Sequence, residues 1–235
     1  MIELQHISKI FEVGGQPIYA LKDASETFET GDYVAIVGPS GSGKSTLLNV
    51  IGCLLRPSAG AYIFNGEDVS QLDDQALSRV RQQQIGFIFQ SFHLVPRLTA
   101  LDNVALPMVF AGIPASERRR RAEAALEAVG LTDRAGHRPN QLSVGQRQRV
   151  VIARAIIMQP SLLLADEPTG NLDTHSGHQI MELLESLNVK GLTLIVVTHD
   201  PNVARRANRV IVLTDGQIVN RLKGQELSDR GMPFS

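Results

Sequence analysis

The chain has no tryptophan, a single cysteine in 235 residues, and a net charge of only −1. Aromatic residues make up just 5% of it. Each shortage excludes something. One cysteine, Cys53, forbids an intrachain disulfide and fits a reducing compartment. The 23 basic side chains are balanced by 24 acidic ones, so no global field draws the chain to nucleic acid. No apolar run approaches the roughly 18 residues of a membrane-spanning helix. The N-terminus lacks a basic stretch followed by an apolar one, so no secretory leader is expected. What remains is 43% hydrophobic and 20% charged, an ordinary globular composition with length for one or two domains.

Within that background, Gly38-Pro39-Ser40-Gly41-Ser42-Gly43-Lys44-Ser45 stands out. It fits G-x-x-x-x-G-K-[ST], a phosphate-binding loop. The β-rich run Tyr33–Val37 precedes it, and Ser45–Ile51 follows with helical spacing. A strand feeding a glycine loop that opens a helix is an anion cradle. Its backbone N–H groups and the helix N-terminus point at negative charge. Lys44 can reach the β- and γ-phosphates, and the Ser45 hydroxyl can ligate Mg²⁺. Cys53 falls in the apolar helical run after this loop and is read as a small core residue.

Elsewhere the chain alternates in character. Ala61–Phe64 followed by Asn65-Gly66, then Ile85–Phe89, read as short strands with turns. From 91 to 158 the signal turns helical. Ser116 to Val129 ends at Gly130, a C′ glycine, and Gly145 to Met158 is closed by Pro160. Strand signals return at Leu162–Ala165 and Thr193–Val197, with helical spacing from His175 to Leu187 between them. Such alternation predicts an α/β fold with a parallel sheet. Residues 91–158 look inserted into it, which makes the core discontinuous: 1–90 and 159–235.

A second site lies at Leu162-Leu163-Leu164-Ala165-Asp166-Glu167-Pro168. Ligands of open α/β sheets bind beyond the carboxyl ends of the strands, so these acids are expected to face the glycine loop. Asp166 is the natural Mg²⁺ partner. Glu167 is then placed to deprotonate a water.

Leu142-Ser143-Val144-Gly145-Gln146, taken with Gln90, Asp173 and His199, resembles the ABC-type ATPases, the nucleotide-binding subunits of ABC transporters. The resemblance spans essentially the whole chain, with the motifs in that family's order. It implies a RecA-like P-loop core, an antiparallel β subdomain and the inserted helical subdomain at 91–158. It also implies ATP and Mg²⁺ as ligands and ATP hydrolysis as the activity, with Lys44, Glu167 and His199 catalytic. Phe11 matches the aromatic that stacks on adenine. Gly38, Ser40, Gly41, Ser42, Gly43, Lys44, Ser45 and Thr46 match the phosphate loop. Gln90, Ser45 and Asp166 match the metal ligands, and Gln90 begins the segment facing a transmembrane partner. Ser143, Gly145 and Gln146 match signature residues that bind the γ-phosphate held by a second protomer. Asp173 matches the loop that crosses the dimer interface, and His199 the histidine that contacts the γ-phosphate. Plainer alternatives are a core aromatic at Phe11, a surface amide at Gln90 and a strand-end histidine at His199.

One departure is visible. The family's usual signature has glycine where this chain has Val144. A β-branched residue narrows backbone options and adds bulk near the partner's nucleotide. The run Arg118–Arg121 suggests nucleic acid. The pairs Glu117–Arg121 and Arg119–Glu123, at i,i+4 on a helix, instead predict a solvated face.

Finer cues, among them Leu98-Thr99-Ala100-Leu101-Asp102-Asn103-Val104 and Ala165–Asp173, are similar to the LolD/MacB/FtsE exporter-like group. This resemblance implies export or extraction of a lipoprotein, lipid, peptide or drug, or mechanotransmission in the envelope. It further implies a separate integral membrane permease, an ATP-dependent homodimer, and a cytoplasmic place on the inner face of the cell membrane. No nucleic-acid partner is expected. The rival is a soluble ABC ATPase of DNA repair or translation; against it stand the single cassette and the absence of sustained heptads.

Overall fold

The computed structural model describes residues 1–227; residues 228–235, the end of the expected second core segment, lie outside the described residues. In chain order the elements are β1 (Ile2–Val13), β2 (Gln16–Phe28), β3 (Tyr33–Val37), α1 (Lys44–Ile51), β4 (Ala59–Phe64), β5 (Glu67–Asp68), α2 (Asp74–Gln84), β6 (Ile85–Ile88), α3 (Ala100–Phe110), α4 (Ala115–Ala128), α5 (Val144–Ile156), β7 (Leu162–Asp166), α6 (Thr174–Val189), β8 (Thr193–Val197), α7 (Pro201–Ala204), β9 (Arg209–Thr214) and β10 (Gln217–Lys223).

The strands form two sheets. One is antiparallel, in the order β2-β1-β4-β5. The other has the order β10-β9-β3-β8-β7-β6, parallel except for the β9–β10 pair. In the parallel strands, alternate residues feed two different cores. Val34, Ile36, Leu164 and Ile195 join α1 and the inner face of the antiparallel sheet. Ala35, Val37, Ala165 and Val196 join a cluster that continues into α3, α4 and α5. Burial on both faces explains why β3, β7 and β8 read as unbroken apolar runs. Fully burying each such Val or Leu contributes about 1.5–3 kcal/mol. The helical block therefore shares one continuous core with the central sheet.

Local chemistry sets the element ends. The β4–β5 hairpin turns at Asn65 (φ 51°) and Gly66 (φ 87°), the positive pair of a type I′ turn. At the end of α4, Gly130 donates to the Glu127 carbonyl and Leu131 to that of Leu126, closing a Schellman cap on the expected glycine.

Three expectations need correction. The stretch before Ile85 contains a helix, α2, whose N-cap Asp73 accepts from the Ala76 N–H at 2.7 Å. Cys53 is buried, but it lies past α1, at a left-handed position (φ 56°) where its N–H donates to Val50. Burial pushes its thiol up to about 11, which keeps it protonated and inert. The Arg119–Glu123 pair forms at 2.9 Å, whereas Glu117 pairs with Arg120 at 2.7 Å. Arg121 instead donates to the Ile157 carbonyl at the end of α5, where the unsatisfied carbonyls of a helix terminus attract cations.

Candidate active site

Three parallel strands bring the phosphate loop and the acids to one edge. Val197 of β8 lies opposite both Ile36 of β3 and Asp166 of β7. The start of the loop and Asp166 are thus level, two strand spacings apart, or about 10 Å. Gln90 follows β6, whose Ile88 lies opposite Ala165. His199 follows β8 by two residues. Lys44, Asp166, Glu167, Gln90 and His199 therefore gather at the carboxyl ends of the strands, as the sequence predicts.

The loop is shaped by what surrounds it. A Cβ on Gly38 would collide with the Leu213 carbonyl, and one on Gly43 (φ 101°) with that of Ala20. Only glycine fits where β9 and β2 press this closely. Gly43 is also the N-cap of α1 and offers no side-chain oxygen, so it leaves the first N–H groups of α1 without a side-chain cap. Ser42 Oγ is buried with no hydrogen-bond partner among the described residues. Lys44 Nζ donates to the Gly38 carbonyl at 2.8 Å and to that of Pro39 at 2.7 Å. Burial lowers its pKa, while Glu167 and Asp166 oppose that shift. Ser40, Gly41 and Ser45 are exposed and Thr46 is half-buried. An anion reaching this loop finds free N–H groups, an orphaned hydroxyl and an ammonium that can leave its carbonyls.

The acids differ in surroundings. The Asp166 carboxyl is raised above the usual aspartate range, by burial first and by the neighbouring Glu167 second, with Lys44 opposing. A cation beside it would relieve that cost. The carboxylate of Asp166, the hydroxyl of Ser45 and the amide oxygen of Gln90 are hard donors of the kind Mg²⁺ takes. Glu167 sits at φ 47°, a left-handed conformation rare for its type. Its N–H donates to the Val197 carbonyl at 2.9 Å. Its carboxylate accepts from the backbone N–H of His199 at 3.0 Å and from Thr198 Oγ1 at 3.3 Å, and Oε1 lies 2.7 Å from His199 Nδ1.

The other expected residues lie around this edge. Phe11 on β1 is 37% exposed, which excludes a core role. It pairs with Ile18, two residues before the Ala20 carbonyl that abuts Gly43. Lys9 Nζ stands 5.2 Å from the centroid of its ring. The Gln90 carbonyl accepts from Asn171 Nδ2 at 2.8 Å, which ties the start of its segment to the loop before α6. Asp173 caps α6, accepting from the Ser176 N–H at 2.9 Å and from Ser176 Oγ at 2.7 Å, and these bonds lower its pKa.

Ser143, Gly145 and Gln146 are not drawn to the phosphate loop. Ser143 is the N-cap of α5 and accepts from the Gln146 N–H at 3.2 Å, while Gln146 Oε1 accepts from the Ser143 N–H at 2.9 Å. The motif is a capping box, which leaves exposed Ser143 at the helix tip. Gly145 faces Ser176 of α6.

Two polar residues of α5 escaped the sequence reading. Gln148 is 2% exposed and donates from Nε2 to the Pro168 carbonyl at 2.8 Å. Arg154 donates to the carbonyls of His93 and Phe92 at 2.7 and 3.0 Å. The available signal was a glutamine on the apolar stripe of Val151 and Ile152, at i+3 and i+4.

Comparison with known proteins agrees with this geometry. A sequence profile described as ABC transporter matches residues 21–170. An uncharacterized ABC transporter ATP-binding protein of Bacillus subtilis (strain 168), YknY, is 51% identical, covering 96% of this chain and 98% of that protein. The macrolide export ATP-binding/permease protein MacB of a Shewanella species (strain W3-18-1) is 50% identical over 94% of this chain but only 34% of its own length. Among solved structures, the dimeric ATP-binding cassette MJ0796, in a post-hydrolysis state bound to ADP and Pi, superposes with a TM-score of 0.88 at 46% identity. That match covers 95% of this chain and 98% of the other. The chain belongs to the ABC transporter family, as one of its ATP-binding ATPase cassettes.

Proposed function

We propose that this cassette powers export or extraction of a lipoprotein, lipid, peptide or drug through a separate integral membrane permease, hydrolysing ATP as an ATP-dependent homodimer. The observation that carries the hydrolytic part is the placement of Glu167, fixed by His199 and Thr198, level with the phosphate loop of Lys44. The N–H groups of the loop and Lys44 bind the phosphates. Phe11 stacks on the base. Glu167 takes the proton of the attacking water. His199 holds that carboxylate and reaches toward the γ-phosphate. Ser45, Asp166 and Gln90 would hold Mg²⁺, which when bound neutralises charge on the phosphate oxygens. Exposed Ser143 and half-buried Gly145, on the tip of α5, supply contacts to nucleotide on a second copy.

Support for the exporter reading comes from relatives. MacB is named for macrolide export and PvdT of Pseudomonas aeruginosa for pyoverdine export, the latter 51% identical over 94% of this chain. Both names join ATP-binding and permease parts, and this chain spans about a third of each. Among the described residues no helix is long and apolar enough to cross a membrane. A groove beside the Gln90 segment, lined by Arg81, Phe87, Phe89, Pro107, Arg154 and Met158, offers a mixed apolar and cationic seat for the permease. We read residues 91–158 as the subdomain that moves with it, at the inner face of the cell membrane.

The test pairs turnover with capture. Purified protein should hydrolyse ATP with Mg²⁺, and Lys44→Ala should abolish this. Expressed with its genomic neighbours, the chain should co-purify from membranes with an integral protein. Wild-type turnover in Lys44→Ala would remove the ATPase assignment. Recovery without any integral partner would remove the transport assignment.

A further inference from the structure

The turn that carries Glu167 is held from two sides. On one side stands β8: the Val197 carbonyl takes the Glu167 N–H, and Thr198 and His199 bond its carboxylate. On the other stands α5, whose buried Gln148 donates to the Pro168 carbonyl at 2.8 Å. Pro168 has no N–H, so its carbonyl is the one backbone group through which that residue can be hydrogen-bonded. Glu167 itself is in the left-handed region, a conformation that persists where its surroundings hold it.

The same helix begins at the Ser143 capping box and packs without slack along β6, where a Cβ on Gly86 would lie 2.5 Å from the Ala155 carbonyl. A buried bond thus joins α5 to the residue after Glu167, and the close contact with β6 leaves the helix little room to slip.

We propose that Gln148 is a positioning residue for Glu167. Through the Pro168 carbonyl it makes the signature helix a support of the catalytic turn, so docking a nucleotide at Ser143 also aligns the base. The inference rests on reading Glu167 as that base.

Gln148→Met keeps the length and the apolar stem and removes the donor. Its kcat should fall about tenfold to a hundredfold, the scale of an ångström-level misplacement. KM for ATP should stay near wild type, because Gln148 bonds the catalytic turn and not the phosphate loop, while the melting temperature should fall by a few degrees, because the Pro168 carbonyl loses its buried donor. Gln148→Leu, which also lacks a donor and is a strong helix former, serves if the methionine variant does not fold. A second arm adds Gln148→Met to Glu167→Gln. ATP-dependent dimerisation by light scattering should match that of Glu167→Gln alone, because the signature loop is untouched. A kcat within about twofold of wild type in a folded variant overturns the proposal. So does loss of dimerisation in the double variant, which would place Gln148 in the loop's own support. Wild-type turnover in Glu167→Gln would instead remove the base reading beneath it.

Discussion

His199 Nδ1 lies 2.7 Å from Glu167 Oε1, and the backbone N–H of the same histidine donates to that oxygen at 3.0 Å. A carboxylate only accepts, so Nδ1 carries the proton of this bond. The ring is largely exposed and the carboxylate is nearly buried, with side-chain accessibilities of 74% and 14%. Histidine thus approaches from the open side and fixes an acid that the fold already encloses. Thr198 supports both, bonding Glu167 from its hydroxyl while that same oxygen accepts from the Asp200 N–H at 3.0 Å.

Two groups bonded in this way should act as a unit. Glu167→Gln should remove most turnover and leave ATP binding intact, because the amide keeps the shape and cannot take a proton. His199→Ala should also lower kcat, by about 10²–10⁴ on the scale of general-base effects. The double variant should be no slower than the slower single one. Steady-state kinetics of all four proteins decide this. Strictly multiplicative losses would show that the two side chains work independently.

Asp173 carries a second readable charge. Its bonds from the Ser176 N–H and hydroxyl hold its pKa below the usual aspartate value. A depressed pKa contributes stability above the unfolded value, near 3.9, that is lost as pH falls through the folded value. Asp173→Ala should melt below wild type at about pH 7, with the gap closing below about pH 4. Asp173→Asn keeps a cap and should recover much of the loss. If Asn restores stability but not turnover, the charge serves the dimer. A gap that persists at acid pH would mean the bonds seen here do not depend on the ionised carboxylate.

How much of this was legible follows from burial. β3, β7 and β8 are enclosed on both faces, so they appear as apolar runs, and the chemistry at their ends was found with them. The helix α2 was hidden because its only buried residue is Leu77, which leaves no stripe to detect. β1 and β2 show no clean alternation because the β1–β2 ladder shifts register at several points. The partner of Glu117 could not be chosen from spacing, since Arg120 and Arg121 both lie within reach and the α5 terminus claims Arg121. Gln148 was invisible for another reason. Its partner is a backbone carbonyl from a different element, which no residue pattern encodes. The signature motif read as a phosphate contact; its local cause, a capping box, emerged only with the geometry.

Gly86 tests the fit between β6 and α5. An added methyl would lie 2.5 Å from the Ala155 carbonyl and 2.9 Å from Leu163 Cδ1. The first neighbour is helix backbone and cannot rotate away. Gly86→Ala should therefore cost about 1–3 kcal/mol, as overpacked cores do. The melting point should drop by about 2–4 °C for each of these for a chain of this size. Turnover should fall further than stability alone explains, because β6 leads directly to Gln90. An unchanged melting point would show that α5 slides freely along this sheet.

Val144 is the sharpest test of the signature loop. It is the first residue of α5, directly after the N-cap Ser143, and is half-buried. Its backbone is right-handed, so the position does not need the conformational freedom of glycine, and that part of the expected handicap disappears. What remains is bulk. The side chain stands beside exposed Ser143, on the tip proposed to meet a nucleotide held by the second copy. Valine there adds volume and a stiff χ1 to a surface that must close on another protomer. Glycine removes both, at an ordering cost of up to about 1 kcal/mol. The capping box between Ser143 and Gln146 does not involve the Val144 side chain, so α5 should keep its start. Val144→Gly should then raise ATPase activity several-fold at protein concentrations where dimers form, with little change in ATP affinity of the monomer. Turnover measured across a protein dilution series, alongside light scattering, separates closure from binding. A fall in turnover at every concentration would show that valine is fitted to this interface and that its bulk makes contacts glycine cannot.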